Sequence, residues 1–110
     1  MPVAYKYSQI QGTASTGTYA TLYTTPAATQ AVISSIVITN QSSSAVTVRI
    51  GLDTTAGTPD ASEWLVYDAA IAGNDTVALT LGVTMPASNF IRVSSSANTC
   101  NFSAFLSEIS

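Results

Sequence analysis

The chain has no histidine, one cysteine, and only three basic and six acidic residues among its 110. Without a histidine, a serine or cysteine nucleophile has no ordinary base to accept its proton, and zinc sites built from histidine and cysteine are excluded. The sequence also contains neither a glycine-rich phosphate loop with lysine nor a dinucleotide fingerprint. We therefore predict no catalytic residue, no cofactor and no metal site, and we expect the protein not to be an enzyme.

Two further features could carry chemistry, and both have a plainer interpretation. Cys100 has no second cysteine to pair with, so we predict a small buried side chain on a strand. Asp53, Asp60, Glu63 and Asp68 could bring oxygen ligands together for Ca²⁺, but their spacing does not match an EF-hand loop. We interpret them as solvated loop and turn residues.

The scarcity of charge also restricts the partners. Lys6, Arg49 and Arg92 are the only cations and the net charge is −3, so a phosphate-binding cluster for nucleic acid is excluded. Charged residues make up 8% of the chain, against about 25% in ordinary soluble domains, which predicts that other subunits cover part of the surface. No 18-residue apolar run and no basic start of a secretory signal is present, so we expect assembly in a cytoplasm, without a membrane or a small-molecule substrate.

Alternation of apolar and polar residues predicts strands rather than helices. Val46, Val48, Ile50 and Leu52 alternate with polar residues or glycine, as in a half-buried strand. The run 31–39 is more continuously apolar, which predicts a central strand covered on both faces. Seven strands are predicted in all: 19–24, 31–39, 46–53, 63–69, 76–83, 90–95 and 100–107. Short strands separated by Gly, Pro, Asn and Ser turns predict an all-β fold, an antiparallel β-sandwich or jelly roll of about seven to eight strands covering residues 19–110.

Residues 1–18 are predicted to form an extended N-terminal arm, because 8–18 are polar while Val3, Tyr5, Tyr7 and Ile10 supply apolar anchors at a period of about two. One interpretation is an edge strand followed by a loop, or a frayed terminus. The other is a segment that adds a strand to a neighbouring subunit, with these four side chains binding the partner.

Trp64 and Tyr67 are the aromatic pair with a second interpretation. Aromatic rings with a polar handle can stack on sugars, so the pair is a candidate glycan-binding site. For Trp64, a place in the core or in a subunit interface is the preferred prediction.

Two stretches, Leu22 to Asn40 and Tyr67 to Val83, resemble the small β-sandwich virion proteins of tailed bacteriophages. In such proteins a strand ends in Tyr-Thr-x-Pro, a long apolar strand ends in Asn, and an Ala/Pro-Gly/Ala-Asn-Asp turn leads into a second apolar strand. The first stretch has the first two features and the second stretch has the turn. The resemblance spans roughly residues 20–106. It implies a structural role and transfers no functional residue.

The resulting expectation is a virion protein of the capsid decoration (cement) type, a homotrimer bound to the major capsid protein or to another virion protein. The alternatives are a tail, neck, baseplate or fibre-associated structural protein, and a carbohydrate-binding module for host surface glycans.

Overall fold

The computed structural model of the chain describes residues 3–11, 19–55, 59, 61–97 and 99–110. The described residues form strands joined by turns and loops, and among them no helix is long and apolar enough to cross a membrane. The strands are β1 (Val3–Gln11), β2 (Ala20–Thr24), β3 (Gln30–Asn40), β4 (Val46–Asp53), β5 (Trp64–Ile71), β6 (Thr76–Met85), β7 (Phe90–Ser95) and β8 (Cys100–Ile109).

The strands form two antiparallel four-stranded sheets, with the order β1-β8-β3-β6 in the first and β2-β7-β4-β5 in the second. Each sheet therefore contains two pairs that join an early strand to a late one: β1 with β8 and β3 with β6, then β2 with β7 and β4 with β5. Such a pairing arises when one long hairpin of strands folds over so that its strand pairs are divided between two sheets. This is the topology of a jelly roll. The predicted all-β sandwich is confirmed.

The core lies between the sheets and is built from the inward side chains of alternating strands. Strand β8 shows the pattern most regularly, since every second residue from Cys100 to Glu108 is buried. Cys100 itself is fully buried, as predicted. The largest fully buried apolar side chains are Phe102, Ile33, Ile36, Ile38, Ile50, Met85, Ile91, Val48 and Val93.

Strand β3 corrects the prediction of a strand covered on both faces. It occupies an interior place in the first sheet, but a bulge lies between Ile33 and Ser35. The inward residues before the bulge have odd numbers and those after it, Ile36 and Ile38, have even numbers. The bulge therefore breaks the alternation and makes a half-buried strand resemble a fully buried run.

Residues 3–11 of the predicted arm form β1, which pairs with β8 of the same chain along its whole length. This is the edge-strand interpretation of the arm; its other residues, 1–2 and 12–18, lie outside the described residues. Val3, Tyr5 and Tyr7 are exposed, whereas Ile10 packs against the core. The period of two holds for Val3, Tyr5 and Tyr7 but not for Ile10, because an even-numbered residue of this strand points to the other side of the sheet. Partner binding by these side chains stays a prediction.

One end of the sandwich is joined by a buried asparagine. The side-chain amide of Asn40 donates to the carbonyls of Ser44, Ile71 and Ala72 at 2.9–3.3 Å. Gly73 brings the β5–β6 turn against the β3–β4 turn so closely that a Cβ atom there would lie 2.2 Å from the carbonyl oxygen of Ser43. The two turns are thereby fixed to each other.

Candidate functional site

The outer face of the first sheet carries no charged side chain on any of its four described strands. The strands of this sheet contain only two charged residues, Lys6 and Glu108. Glu108 is buried on the inner side, and Lys6 forms an ion pair with it at 3.0 Å. We call this surface the uncharged face. Its outward residues on β1, β8 and β3 include Val3, Tyr5, Tyr7, Gln9, Val32, Val37, Ser103, Phe105 and Ser107.

Large apolar side chains stand out from the uncharged face. Tyr5 is 87% exposed and Tyr7 69%, although ordinary packing would cover such rings. Tyr7 lies directly opposite Phe105, with their ring centroids 6.5 Å apart. A shallow groove of about 320 Å³ is lined by Tyr5, Lys6, Val32, Ser34, Phe105, Leu106 and Ser107. The face therefore presents protruding apolar side chains that are surrounded by Ser, Thr and Gln side chains.

Four polar side chains hold β1 to the sandwich from its inner side. Glu108 accepts a short hydrogen bond from the hydroxyl of Tyr23 and pairs with Lys6 on β1. Ser8 donates to the carbonyl oxygen of Leu22 at 2.5 Å, which links β1 to the second sheet. The Tyr23 and Lys6 hydrogen bonds hold the pKa of Glu108 below its usual value, while burial and the Glu108 carboxylate raise the pKa of Tyr23.

The four edge strands of the sandwich differ in regularity. Strand β2 has five residues and an irregular register, β5 is interrupted at Tyr67 and Asp68, and β6 is bulged near Gly82, where φ is +61°. Strand β1 has nine residues in unbroken register with β8. Bulges and short strands are devices that prevent pairing with other chains, so β1 is the edge without such protection.

The outer face of the second sheet carries a cluster of aromatic rings around an arginine. The Trp64 ring lies 5.6 Å from Tyr19 and 5.2 Å from Tyr67, between centroids. The guanidinium carbon of Arg49 lies 4.2 Å from the centroid of Tyr67 and 5.9 Å from that of Trp64. Arg49 also donates to both carboxylate oxygens of Asp68, at 2.5 and 3.0 Å, and to the hydroxyl of Tyr19 at 3.2 Å. We call these five residues the arginine–aromatic cluster.

Electrostatics and backbone geometry both set this cluster apart from an ordinary strand surface. The hydrogen bonds from Arg49 hold the pKa of Asp68 below its usual value, and those to Asp68 and Tyr19 raise the pKa of Arg49. Asp68 has φ +53°, in the left-handed region. Between Val66 and Ala69 the register of β5 against β4 shifts, so Tyr67 and Asp68 are the inserted residues of a bulge. Trp64 is half-buried and lies on the outer face, over Gly51, so it is not a core residue. The other half of the preferred prediction, a place in a subunit interface, stays a prediction.

The remaining candidates have structural roles. Asp53 accepts hydrogen bonds from the backbone and hydroxyl of Thr55, while Asp60 lies outside the described residues. In the part of the chain that the structure describes, no three acidic or cysteine side chains are grouped as a metal site would require. Burial raises the pKa of the Cys100 thiol, which keeps it in the unreactive protonated form.

Sequence reasoning identified Trp64 and Tyr67 but missed Tyr19, Arg49 and Asp68. Arg49 sits at a polar position of an alternating strand, which fixes the face it occupies. Its partner could not be found in the same way, because Asp68 reaches that face through a bulge. Phe105 was missed as a member of the uncharged face, although its odd position in β8 places it outward.

Comparison with models of known protein families, with curated proteins and with solved structures finds no match to this chain. The geometry of the two outer faces is therefore the ground for a functional proposal.

Proposed function

We propose that this chain is a structural protein of a tailed-phage virion, of the capsid decoration type, and that it binds the head surface through the uncharged face. The observation that carries the proposal is the complete lack of charge on the outer side of four strands, together with three exposed aromatic rings. The proposal concerns a binding subunit and assigns no reaction.

The lack of charge favours a protein partner through its desolvation energy. A charged side chain that loses its water in an interface costs several kcal/mol unless it is paired. Hydroxyl and amide groups cost less and can pair with each other, as Gln9 does when its amide donates to the hydroxyl of Ser103 at 3.1 Å. Tyr5, Tyr7 and Phe105 add rigid rings of the kind that dominate interface energies.

The dimensions of the face match a weak contact that is repeated many times. Four strands and the ten residues of β8 give an area about 20 Å wide and about 30 Å long. Such an area is at the lower end of stable interfaces, where single contacts are weak. Repetition over a symmetric shell raises the overall avidity without any new contact.

Strand β1 offers a second element of binding at the border of the same face. Its outer edge has backbone donors and acceptors without a partner strand among the described residues, and its outward side chains are Val3, Tyr5 and Tyr7. An added strand of another subunit would satisfy these groups and extend the uncharged face.

The fold class adds support by analogy alone. Jelly rolls are common in viral capsid and lectin domains. Because one fold hosts many functions, the proposal depends on the uncharged face rather than on the topology.

The first experiment is quantitative mass spectrometry of purified particles of the phage whose genome encodes the chain. We expect a fixed copy number relative to the major capsid protein, and a reconstruction that shows the chain outside the head. Absence from the particle would overturn the proposal, and a copy number set by the tail would move the binding site to the tail.

Particles produced without the chain provide the second experiment, because purified protein can be added back. We expect wild-type protein to co-sediment with them and Tyr7→Asp to lose binding by a factor of about 100, as expected when an unpaired charge is buried. Tyr67→Asp is the matched control, since it places the same substitution on the opposite face, and it should bind normally. Equal binding by both variants would contradict the role of the uncharged face.

A further inference from the structure

Two rings of the arginine–aromatic cluster, those of Trp64 and Tyr67, line a cleft that the assembly role does not use, while Arg49 and Asp68 line a smaller space beside it. A space of about 300 Å³ opens to solvent between Trp64, Tyr67 and Ala61, on the outer face of the second sheet. Small-molecule sites begin at about this size, which suits a single sugar ring. The cleft lies on the opposite side of the sandwich from the uncharged face, so a ligand there and a partner protein on the first sheet would not compete.

The Trp64 ring is held in place before any ligand arrives. Gly51 has no side chain, and a Cβ atom there would lie 3.0 Å from Cε3 of Trp64 and 2.8 Å from Cγ of Pro59. The indole therefore packs against the backbone of β4, with Tyr19 beside it. A ring fixed in this way loses little conformational entropy when a ligand stacks on it.

The Tyr67 ring is held outward by the bulge in β5. Tyr67 is 56% exposed, although its neighbour Trp64 is half-buried. Arg49 lies over the ring at 4.2 Å and is itself fixed by two hydrogen bonds to Asp68, in its left-handed conformation. Bulges and left-handed residues other than glycine are concentrated at functional sites, where they direct a side chain.

Polar groups for ligand hydroxyls lie beside the rings. The Asp68 side chain is 47% exposed, and each carboxylate oxygen that accepts from Arg49 has a second lone pair for a ligand hydroxyl. The hydroxyl of Tyr67 can both donate and accept. Because Asp68 neutralises Arg49, the cluster offers no free cation to a phosphate or carboxylate, and it favours an uncharged ligand.

We propose that the arginine–aromatic cluster is a binding site for an uncharged pyranose residue of a glycan, with the apolar face of the sugar against Trp64 and Tyr67 and its hydroxyls on Asp68. An aromatic surface accounts for the apolar face of the sugar, and the carboxylate with its arginine accounts for the hydroxyls. The site is independent of the proposed virion role, because none of its residues belongs to the uncharged face.

The test uses the intrinsic fluorescence of Trp64, the only tryptophan in the chain. Full-length protein is titrated separately with the methyl glycosides of glucose, galactose, mannose and N-acetylglucosamine, and the same protein is applied to a glycan array. We expect a saturable change of Trp64 emission with at least one of these glycosides and array binding to glycans that display the same residue. No response to any of the four, together with no array binding, overturns the proposal.

Two pairs of variants show whether binding occurs in the cleft. Tyr67→Ala should lower the affinity at least tenfold, whereas Tyr67→Phe keeps the ring and should retain most of the affinity. Tyr5→Ala removes an even more exposed tyrosine from the other sheet and should bind the glycoside as the wild type does. Equal binding by Tyr67→Ala and wild type would place the sugar elsewhere and overturn the assignment.

Discussion

The two outer faces of this sandwich use the same exposed aromatic residues in opposite electrostatic settings. On the first sheet, Tyr5 and Tyr7 stand among hydroxyls and amides with no charge nearby on that side. On the second sheet, Tyr67 lies against Arg49, which is paired with Asp68. A broad face without charge fits a large partner that excludes water, whereas rings around an ion pair fit a small polar ligand that stays partly solvated.

The difference arises from which way each sheet turns its few charges. The first sheet directs Glu108 toward the interior, where it accepts from Tyr23, and Lys6 pairs with it from the exposed edge of the same inner side, so that the two charges hold β1 in place. The second sheet directs Arg49 and Arg92 outward, where Arg92 donates to the carbonyl oxygen of Tyr19 at 3.0 Å. A shift of one residue in strand register moves every side chain of the strand to the other face. Because the chain has few charges, such a shift would determine whether a whole face is charged or uncharged.

Deletion of residues 1–18 is expected to have the largest effect on the contrast between the faces. It removes Tyr5 and Tyr7 from the uncharged face and leaves Glu108 without Lys6. We expect loss of particle binding and a fall of about 3–4 kcal/mol in the free energy of unfolding, because one strand and a pair of charge-assisted hydrogen bonds are lost. Urea unfolding, followed by circular dichroism, measures the fall.

The second face provides the control for this deletion. Deletion of residues 1–11 alone serves this purpose, because it removes β1 but does not cut the chain next to Tyr19 of the arginine–aromatic cluster. Trp64 emission and glycoside binding of this shorter deletion variant should be the same as in the wild type. An unchanged unfolding free energy would show that residues 3–11 behave as a detached arm and would contradict the role given to β1.

Gly51→Val is expected to displace the Trp64 ring on the second sheet and to leave the uncharged face of the first sheet unchanged. The new side chain would collide with Pro59 and Trp64, where a Cβ atom alone already lies within 3.0 Å of both. Overpacking of this kind costs about 1–3 kcal/mol, and we expect a red shift of the Trp64 emission as the ring moves into water. Ala70→Val is a suitable control for added volume on the same sheet, because the Ala70 side chain is exposed. A wild-type emission spectrum for Gly51→Val would contradict the packing of Trp64 on β4.

Much of this fold could be predicted from the sequence, because its strands alternate regularly. In β8 the alternation runs without interruption, so both its buried residues and its outward Phe105 follow from position alone. Prediction failed where the register shifts. The bulge at Ser34 made β3 resemble a strand buried on both faces.

The candidate sites could be predicted only in part, for the same physical reason. Trp64 and Tyr67 were identified from their residue type, but their partners Tyr19 and Arg49 come from the residue before β2 and from β4. Which strands adjoin each other is a property of the jelly-roll topology, and alternation within single strands contains no information on it. The left-handed backbone at Asp68 is likewise not visible in the residue pattern, because aspartate also occupies ordinary strands and turns.

The Glu108→Gln substitution tests how much the ion pair between Glu108 and Lys6 stabilises the first sheet. The amide can still accept from Tyr23 but no longer pairs with Lys6, so we expect the free energy of unfolding at pH 7 to fall by about 1–2 kcal/mol. Lys6→Met, which removes the other partner, should cause a similar fall. A variant as stable as the wild type at pH 7 would show that the ion pair does not hold β1.

The lowered pKa of Glu108 also predicts how its contribution to the free energy of unfolding changes with pH. Because the pKa of Glu108 is lowered in the folded state, its contribution is present above the pKa of an unfolded glutamate, about 4.3, and is lost as the pH falls through the lowered folded value. The stability difference between wild type and Glu108→Gln should therefore be constant near neutral pH and shrink below about pH 4. A difference that instead grows on acidification would contradict the assignment.

The smallest expected effect on stability comes from substitutions of Asp68, which separate the contribution of backbone strain from that of the ion pair with Arg49. Asp68→Ala removes the pair with Arg49 and places a Cβ-bearing residue at φ +53° without a polar side chain to support it. Asp68→Gly removes the same pair but adopts this conformation at no steric cost. We therefore expect both variants to be slightly less stable than the wild type, with Asp68→Gly the more stable of the two, and both to lose glycoside binding. Thermal unfolding at low and high salt measures this order, since the contribution of the exposed pair should decrease with salt whereas the difference between the two variants should not. If Asp68→Ala were the more stable variant, the left-handed conformation would not be retained at this position, and the bulge that directs Tyr67 outward would depend on the ion pair alone.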